Sequence, residues 1–134
     1  MVAGTLYAAS LVVGSGMMAT GLAILNDTPA STDTHTLYLI SGSGKIIGQS
    51  ASTTAATASG FQKMAFSPGP IWVPAGRYFV GVTSSGTTAK IQTVATNTFI
   101  DLVTTSITGT YGTLPTFVVP TTFTADVGPI MYIY

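Results

Sequence analysis

The sequence predicts an all-β fold: an antiparallel, jelly-roll-like β-sandwich of roughly seven or eight strands. One domain spans residues 1–134, a length at which a chain can bury a core of its own. Three observations carry this. Thr, Val, Ile, Tyr and Phe are abundant, and these β-branched and aromatic side chains suit a pleated surface. Glutamate is absent, lysine is scarce and there are 15 glycines, a composition that disfavours helices. Short apolar runs alternate with Gly/Ser/Pro turn signals along the chain.

Residues 5–13 read as a first strand, with Leu6, Ala8 and Ser10 on one face and Tyr7, Ala9 and Leu11 on the other. Gly14-Ser15-Gly16 is a turn, and residues 17–25 form a second strand with imperfect alternation. Residues 26–36 are a polar loop. Leu37, Tyr38, Leu39 and Ile40 are consecutively apolar, which predicts a strand buried on both faces. A Ser-Gly-Ser-Gly turn then leads into a hairpin partner at 45–49. Residues 50–60 are small and of low complexity, a loop or loose edge.

Residues 61–66 alternate cleanly and stop at Ser67-Pro68-Gly69-Pro70. Residues 72–82 hold the one tryptophan and the one arginine of the chain. There a Pro74-Ala75-Gly76 turn feeds a strand with Tyr78, Val80 and Val82 towards the core and Phe79 on the opposite face. Arg77 is expected to cap an end or pair with an aspartate. After a turn at 83–88, residues 89–94 read as another strand. Residues 95–125 form a long irregular segment in which 99–103 is either a strand or a helical turn; its aromatics argue against disorder. Residues 130–134 close the chain as a strand apolar on both faces, placed inside the sandwich or at a subunit interface.

Only 6% of residues are charged, and the net charge is zero. Such a chain lacks the like-charge repulsion that keeps soluble monomers apart, so it is expected to live assembled or outside a cell. There is no cysteine, hence neither a disulfide nor a thiolate site. Residues 1–25 lack the basic start of a signal peptide and are interrupted by glycines, so release is expected by lysis. No apolar run is long enough for a spanning helix, and an outer-membrane barrel is disfavoured, so no membrane partner is expected.

Catalytic chemistry is sparse. The acids are Asp27, Asp33, Asp101 and Asp126, and the one histidine is His35. Asp33 and His35, two apart, share a face of an extended chain, but no nucleophile elbow accompanies them. Glycosidase work needs two carboxylates facing each other across a cleft, whereas Asp27 and Asp33 read as members of one solvated loop. Asn26, Asp27 and Asp33 offer at best a weak calcium site, and a zinc set is ruled out. Lys45, Lys63, Arg77 and Lys90 are scattered, which argues against nucleic-acid binding. The expectation is a protein without catalytic, cofactor or metal residues.

Several stretches resemble the small β-sandwich modules of tailed-bacteriophage virion proteins, found in capsid decoration proteins and in fibre or tail appendages. They are Thr36-Leu37-Tyr38-Leu39-Ile40 with Ser43-Gly44-Lys45, then Pro74-Ala75-Gly76-Arg77-Tyr78-Phe79-Val80-Gly81-Val82, and Phe123-Thr124-Ala125-Asp126-Val127-Gly128-Pro129-Ile130. The resemblance is one of strand-and-turn style and transfers no active-site residues. It implies an oligomeric virion component, assembled in a bacterial cytoplasm and placed on the outside of the particle.

The expected function is therefore a decoration or cement protein that binds the major capsid protein or other virion subunits, as a homo-oligomer (a dimer or trimer). Its candidate interface is Leu6, Tyr7, Tyr111, Leu114, Phe117, Phe123 and Tyr134, within residues 1–13 and 95–125 and at the last strand. The alternative is a receptor-binding fibre domain recognising bacterial surface glycan through Trp72, Tyr111, Asn97 and Asp101. A secreted carbohydrate-binding module is a third class, weakened by the lack of a signal peptide.

Overall fold

The computed structural model describes residues 1–27, 31–56, 58–95 and 102–134. Among these the chain forms β1 (Leu6–Val13), β2 (Met17–Ala19), β3 (Gly21–Asn26), β4 (Thr34–Ser41), β5 (Ile46–Gln49), β6 (Thr53–Thr54), β7 (Gly60–Ala65), β8 (Ile71–Val73), β9 (Gly76–Ser84), β10 (Thr104–Ile107) and β11 (Met131–Ile133). All pairings between them are antiparallel. The molecule is an all-β sandwich. A large sheet has the order β10-β1-β9-β4-β5, with β6 also on β4; a smaller one has the order β11-β3-β7; β2 and β8 make a two-stranded ribbon.

The strand at the heart of the large sheet is β9, flanked by β1 and β4 over most of its length. Alternation sends Tyr78, Val80 and Val82 to one side and Phe79 to the other. The first side meets Leu37 and Leu39 of β4, Leu22 and Ile24 of β3, Met64 of β7, and Ala19 and Val73 of the ribbon in the main core. The second side forms a separate core of Leu6, Tyr38, Ile40, Phe79 and Val103, covered by Leu114 and Phe117. The Phe79 and Phe117 rings lie 5.1 Å apart, tilted at 52°. The segment after residue 101 is thus a cover for the outer face of the large sheet. This explains why β4 and β9 are apolar on both faces: the chain itself shields both.

Glycine matters at the crossing of β1 and β9. A Cβ on Gly81 would come within 2.9 Å of the Leu6 side chain, so a bare backbone there lets Leu6 reach the outer core.

Several elements depart from the sequence expectation. The predicted strand at 17–25 is broken at Thr20, where the chain changes partners from β8 to β7 and β11. Thr20 N–H donates to Tyr134 O and Thr20 O accepts from Phe66 N–H, so both its backbone groups are used at the switch. Residues 89–94 make only isolated bridges, Asn26 with Ile91 and Thr93 with Pro129. Within the segment expected to be irregular, β10 pairs with β1 at the sheet edge. Of the stretch at 99–103, residues up to 101 lie outside the described ones. Splitting of long runs and the short added pieces give eleven strands among the described residues, against the expected seven or eight.

Candidate functional site

The ribbon β2–β8 presents the most exposed large apolar side chains that stand together. Ile71 and Val73 turn inward, which by the period of two turns Trp72 outward. Met17 and Ala19 do the same for Met18. Met18 and Trp72 are direct cross-strand partners, and they are 60% and 61% exposed. Gly16 sits against the indole: a Cβ there would fall 2.6 Å from the ring. Val12, at the end of β1 nearest this ribbon, is also exposed, next to a shallow cleft lined by Val13, Gly14, Met17 and Tyr132. The structure places Trp72 on the surface.

A second aromatic group lies on the outer face of the small sheet. Phe61, half exposed, packs edge-on against Tyr132 at 4.9 Å, and Tyr132 against Tyr134 at 6.5 Å. Lys63 Nζ stands 4.8 Å from the centre of the Tyr134 ring, a cation–π contact. Burial, followed by the neighbouring Tyr132, raises the Tyr134 phenol above its ordinary range.

At the far end of the large sheet, Tyr111 anchors the outer segment. Its hydroxyl lies 2.8 Å from Thr34 Oγ1 and 3.2 Å from Thr36 Oγ1, and it also bonds Ser52 Oγ. Burial works against ionisation of the phenol, but the hydroxyl bonds from Ser52, Thr34 and Thr36 outweigh it and lower its pKa. A polar groove of about 380 Å³ runs past it, lined by Thr36, Gln49, Ser52, Ser67 and Gly112. The cluster joins residue 111 to β4 and to the chain before β6.

The two members of the predicted acid–histidine pair have separate surroundings. Asp33 Oδ2 accepts from Thr88 N–H and Ala89 N–H, both at 2.8 Å, and Ser31 Oγ accepts from the Asp33 N–H. The bond from Ala89, against some desolvation and with that from Thr88, lowers the Asp33 pKa below its ordinary value. His35 is wholly buried, and among the described residues neither ring nitrogen has a hydrogen-bond partner.

The calcium set is dispersed. Asn26 is buried with its Nδ2–H donating to Gln62 Oε1 at 2.7 Å. Asp27 instead shares a cleft with Lys90, Asp126, Tyr7 and Met1. Asp33 is engaged by the backbone of Thr88 and Ala89. Among the described residues no three His, Cys, Asp or Glu side chains gather as metal ligands.

The nominated interface residues do not form one surface. Leu6 is completely enclosed by its own chain, a correction to its candidacy, because an inward strand position at Gly81 leaves nothing for a partner to touch. Tyr7 packs on the main core, and Leu114 and Phe117 on the outer one. Phe123 and Tyr134 are half-buried. For the glycan set, Trp72 lies by the Gly76 end of β9, while Tyr111 lies by the Ser84 end, roughly 25 Å away at the rise of a strand. The structure therefore separates them, and Asn97 and Asp101 lie outside the described residues. The residues missed by the sequence reading are Met18, Val12 and Phe61. The signal for Met18 was present, since Met17 and Ala19 flank it at inward positions.

Comparison with known proteins finds no family model, no curated protein and no solved structure that matches the chain.

Proposed function

We propose that the chain is a structural subunit of a virion, a capsid decoration protein that binds the outer shell and braces neighbouring subunits. The observation that carries this is the outward pair Met18–Trp72 on a strand ribbon, in a chain with 6% charged residues and zero net charge. A tryptophan and a methionine held in register by backbone pairing form a preordered apolar knob. Large aromatic and Met side chains are enriched at the desolvated centres of interfaces. Seating two such side chains in a partner is worth on the order of several kcal/mol per copy before ordering costs. Repeated over many copies, that stabilises a shell. The partner is the major capsid protein or another virion subunit, and the oligomer is built from copies of this chain.

The test is copy number and occupancy on purified particles. A band comparable in intensity to the major shell protein is expected. The double variant Met18→Ser/Trp72→Ser is expected to keep its fold and to leave the particles. A few copies per particle, or full occupancy by the double variant, overturns the reading. Trp72 is the one tryptophan of the chain, so its emission should shift to the blue on docking.

A further inference from the structure

His35 sits on the inner side of β4, in line with Leu37 and Leu39 of the main core. It pairs across the sheet with Ser84 of β9 and with Thr53 of β6. Several attachments at this end of the sandwich run through the residues beside it or its partners, alongside others made elsewhere, such as the bonds of Gln62 to Thr54 O and Ala56 N–H and of Tyr7 to Val2 N–H. Gly4 N–H donates to Ser84 O at 2.9 Å, which docks the N-terminal residues. Ala55 N–H donates to Asp33 O and Ser85 N–H to Thr34 O, each at 2.9 Å, which dock the chain after β6 and the turn after β9. The Asp33 carboxylate holds Thr88 and Ala89.

We infer that His35 is an acid-sensitive latch, whose protonation frees this end of the sandwich, namely residues 1–5, 33–36, 53–56 and 84–89, while the rest stays folded. A protonated imidazole carries two N–H donors, and a buried donor without an acceptor is costly. Among the described residues neither ring nitrogen has a hydrogen-bond partner, so the charged ring is stable only if it reaches water. The strand cannot move its inward side chain outward without giving up the pairings of His35 to Ser84 and Thr53.

The charges acting on the ring oppose each other. Asp33, in the chain just before β4, favours the proton, and the N-terminal amino group disfavours it. The strand partners Thr53 and Ser84 do not titrate in this range. The further ionisable groups near the N-terminal residue are Tyr7, Asp27, Lys90 and Asp126 in the adjoining cleft. Burial dominates and holds the folded-state pKa at about 4, against an ordinary 6.5. Between those two values the opened form binds a proton and the closed form does not. The latch is therefore fully closed above pH 6.5, and closure is lost as pH falls towards 4, by about a hundredfold in the opening equilibrium over that span. Asp33, held below its ordinary 3.8, stays charged through this window.

Hydrogen exchange of the full chain at pH 7 and pH 4.5, corrected for intrinsic rates, tests the inference. The expected result is loss of protection at residues 1–5, 33–36, 53–56 and 84–89 at the lower pH, with the centres of β1, β3 and β9 unchanged. His35→Gln should abolish the pH response. His35→Leu, which fills the space without a polar atom, provides the same readout should glutamine disturb the fold. An unchanged exchange map, the same response in both variants, or loss spread evenly over the main core overturns it.

Discussion

Phe79 shows how much can rest on one side chain. It is completely buried on the outer face of β9, against Phe117 and beneath the Arg77 guanidinium, 5.8 Å from the ring. Phe79→Ala should lower stability by about 3–5 kcal/mol, the usual cost of emptying an aromatic site. Urea unfolding followed by far-UV circular dichroism checks it; a loss below about 1 kcal/mol would mean that the outer cover collapses into the space. Asp33 makes a different kind of contribution. Its folded-state pKa lies below the ordinary value. Its stabilisation is thus present above about pH 3.8 and lost as pH falls through the folded-state value. The stability gap between the native chain and Asp33→Asn should be open at pH 7 and close on acidification below that point. A gap that persists at the lowest pH would assign the effect to packing.

At the scale of elements, two strand-borne features behave oppositely. The Tyr111 hydroxyl pins the outer segment to β4 through Thr34 and Thr36. Tyr111→Phe should cost about 1 kcal/mol, the net worth of such hydroxyl bonds, and should speed proteolysis within residues 105–120 before the sandwich itself unfolds. Equal cleavage rates in the two proteins would show that Phe117 and Leu114 suffice to hold the cover. The ribbon is the reverse case. Trp72 is mostly exposed, so Trp72→Ser should change stability by no more than about 0.5 kcal/mol while weakening association. Gly16→Ala should disturb the same face without touching the core, because the added methyl meets the indole.

For the molecule as a whole, two-faced apolar strands look like a demand for a partner, and the chain answers most of that demand itself. Phe117→Asp, which would break an interface if Phe117 were a docking residue, should instead unfold the outer cover, since its ring rests on Phe79. Among the surfaces left open to partners are the ribbon face and the aromatic row Phe61–Tyr132–Tyr134. With no net charge to oppose contact, the proposed homo-oligomer predicts a sedimentation mass that rises with concentration. The Met18→Ser/Trp72→Ser protein should stay near 13.7 kDa under the same conditions. Identical behaviour of the two proteins would remove the ribbon from self-association.

The all-β class, the hairpin at 45–49 and the inward set Tyr78, Val80 and Val82 were all legible from local alternation. A strand's period of two is written in consecutive residues, so no tertiary information is needed to read it. The tertiary structure decided which side of each strand a distant segment would cover. Phe117 lies on Phe79 and Tyr111 beside Thr34, contacts across 38 and 77 positions of chain that no local pattern encodes. It also decided the partner switch at Thr20, the enclosure of Leu6 and the outward Trp72. The sequence by itself determined that strands would have two apolar faces. Only long-range packing determined that the outer face of the large sheet is closed by the chain's own later residues, leaving the ribbon open. The physical reason is that side-chain direction is a local property of the backbone, whereas burial depends on what arrives from elsewhere.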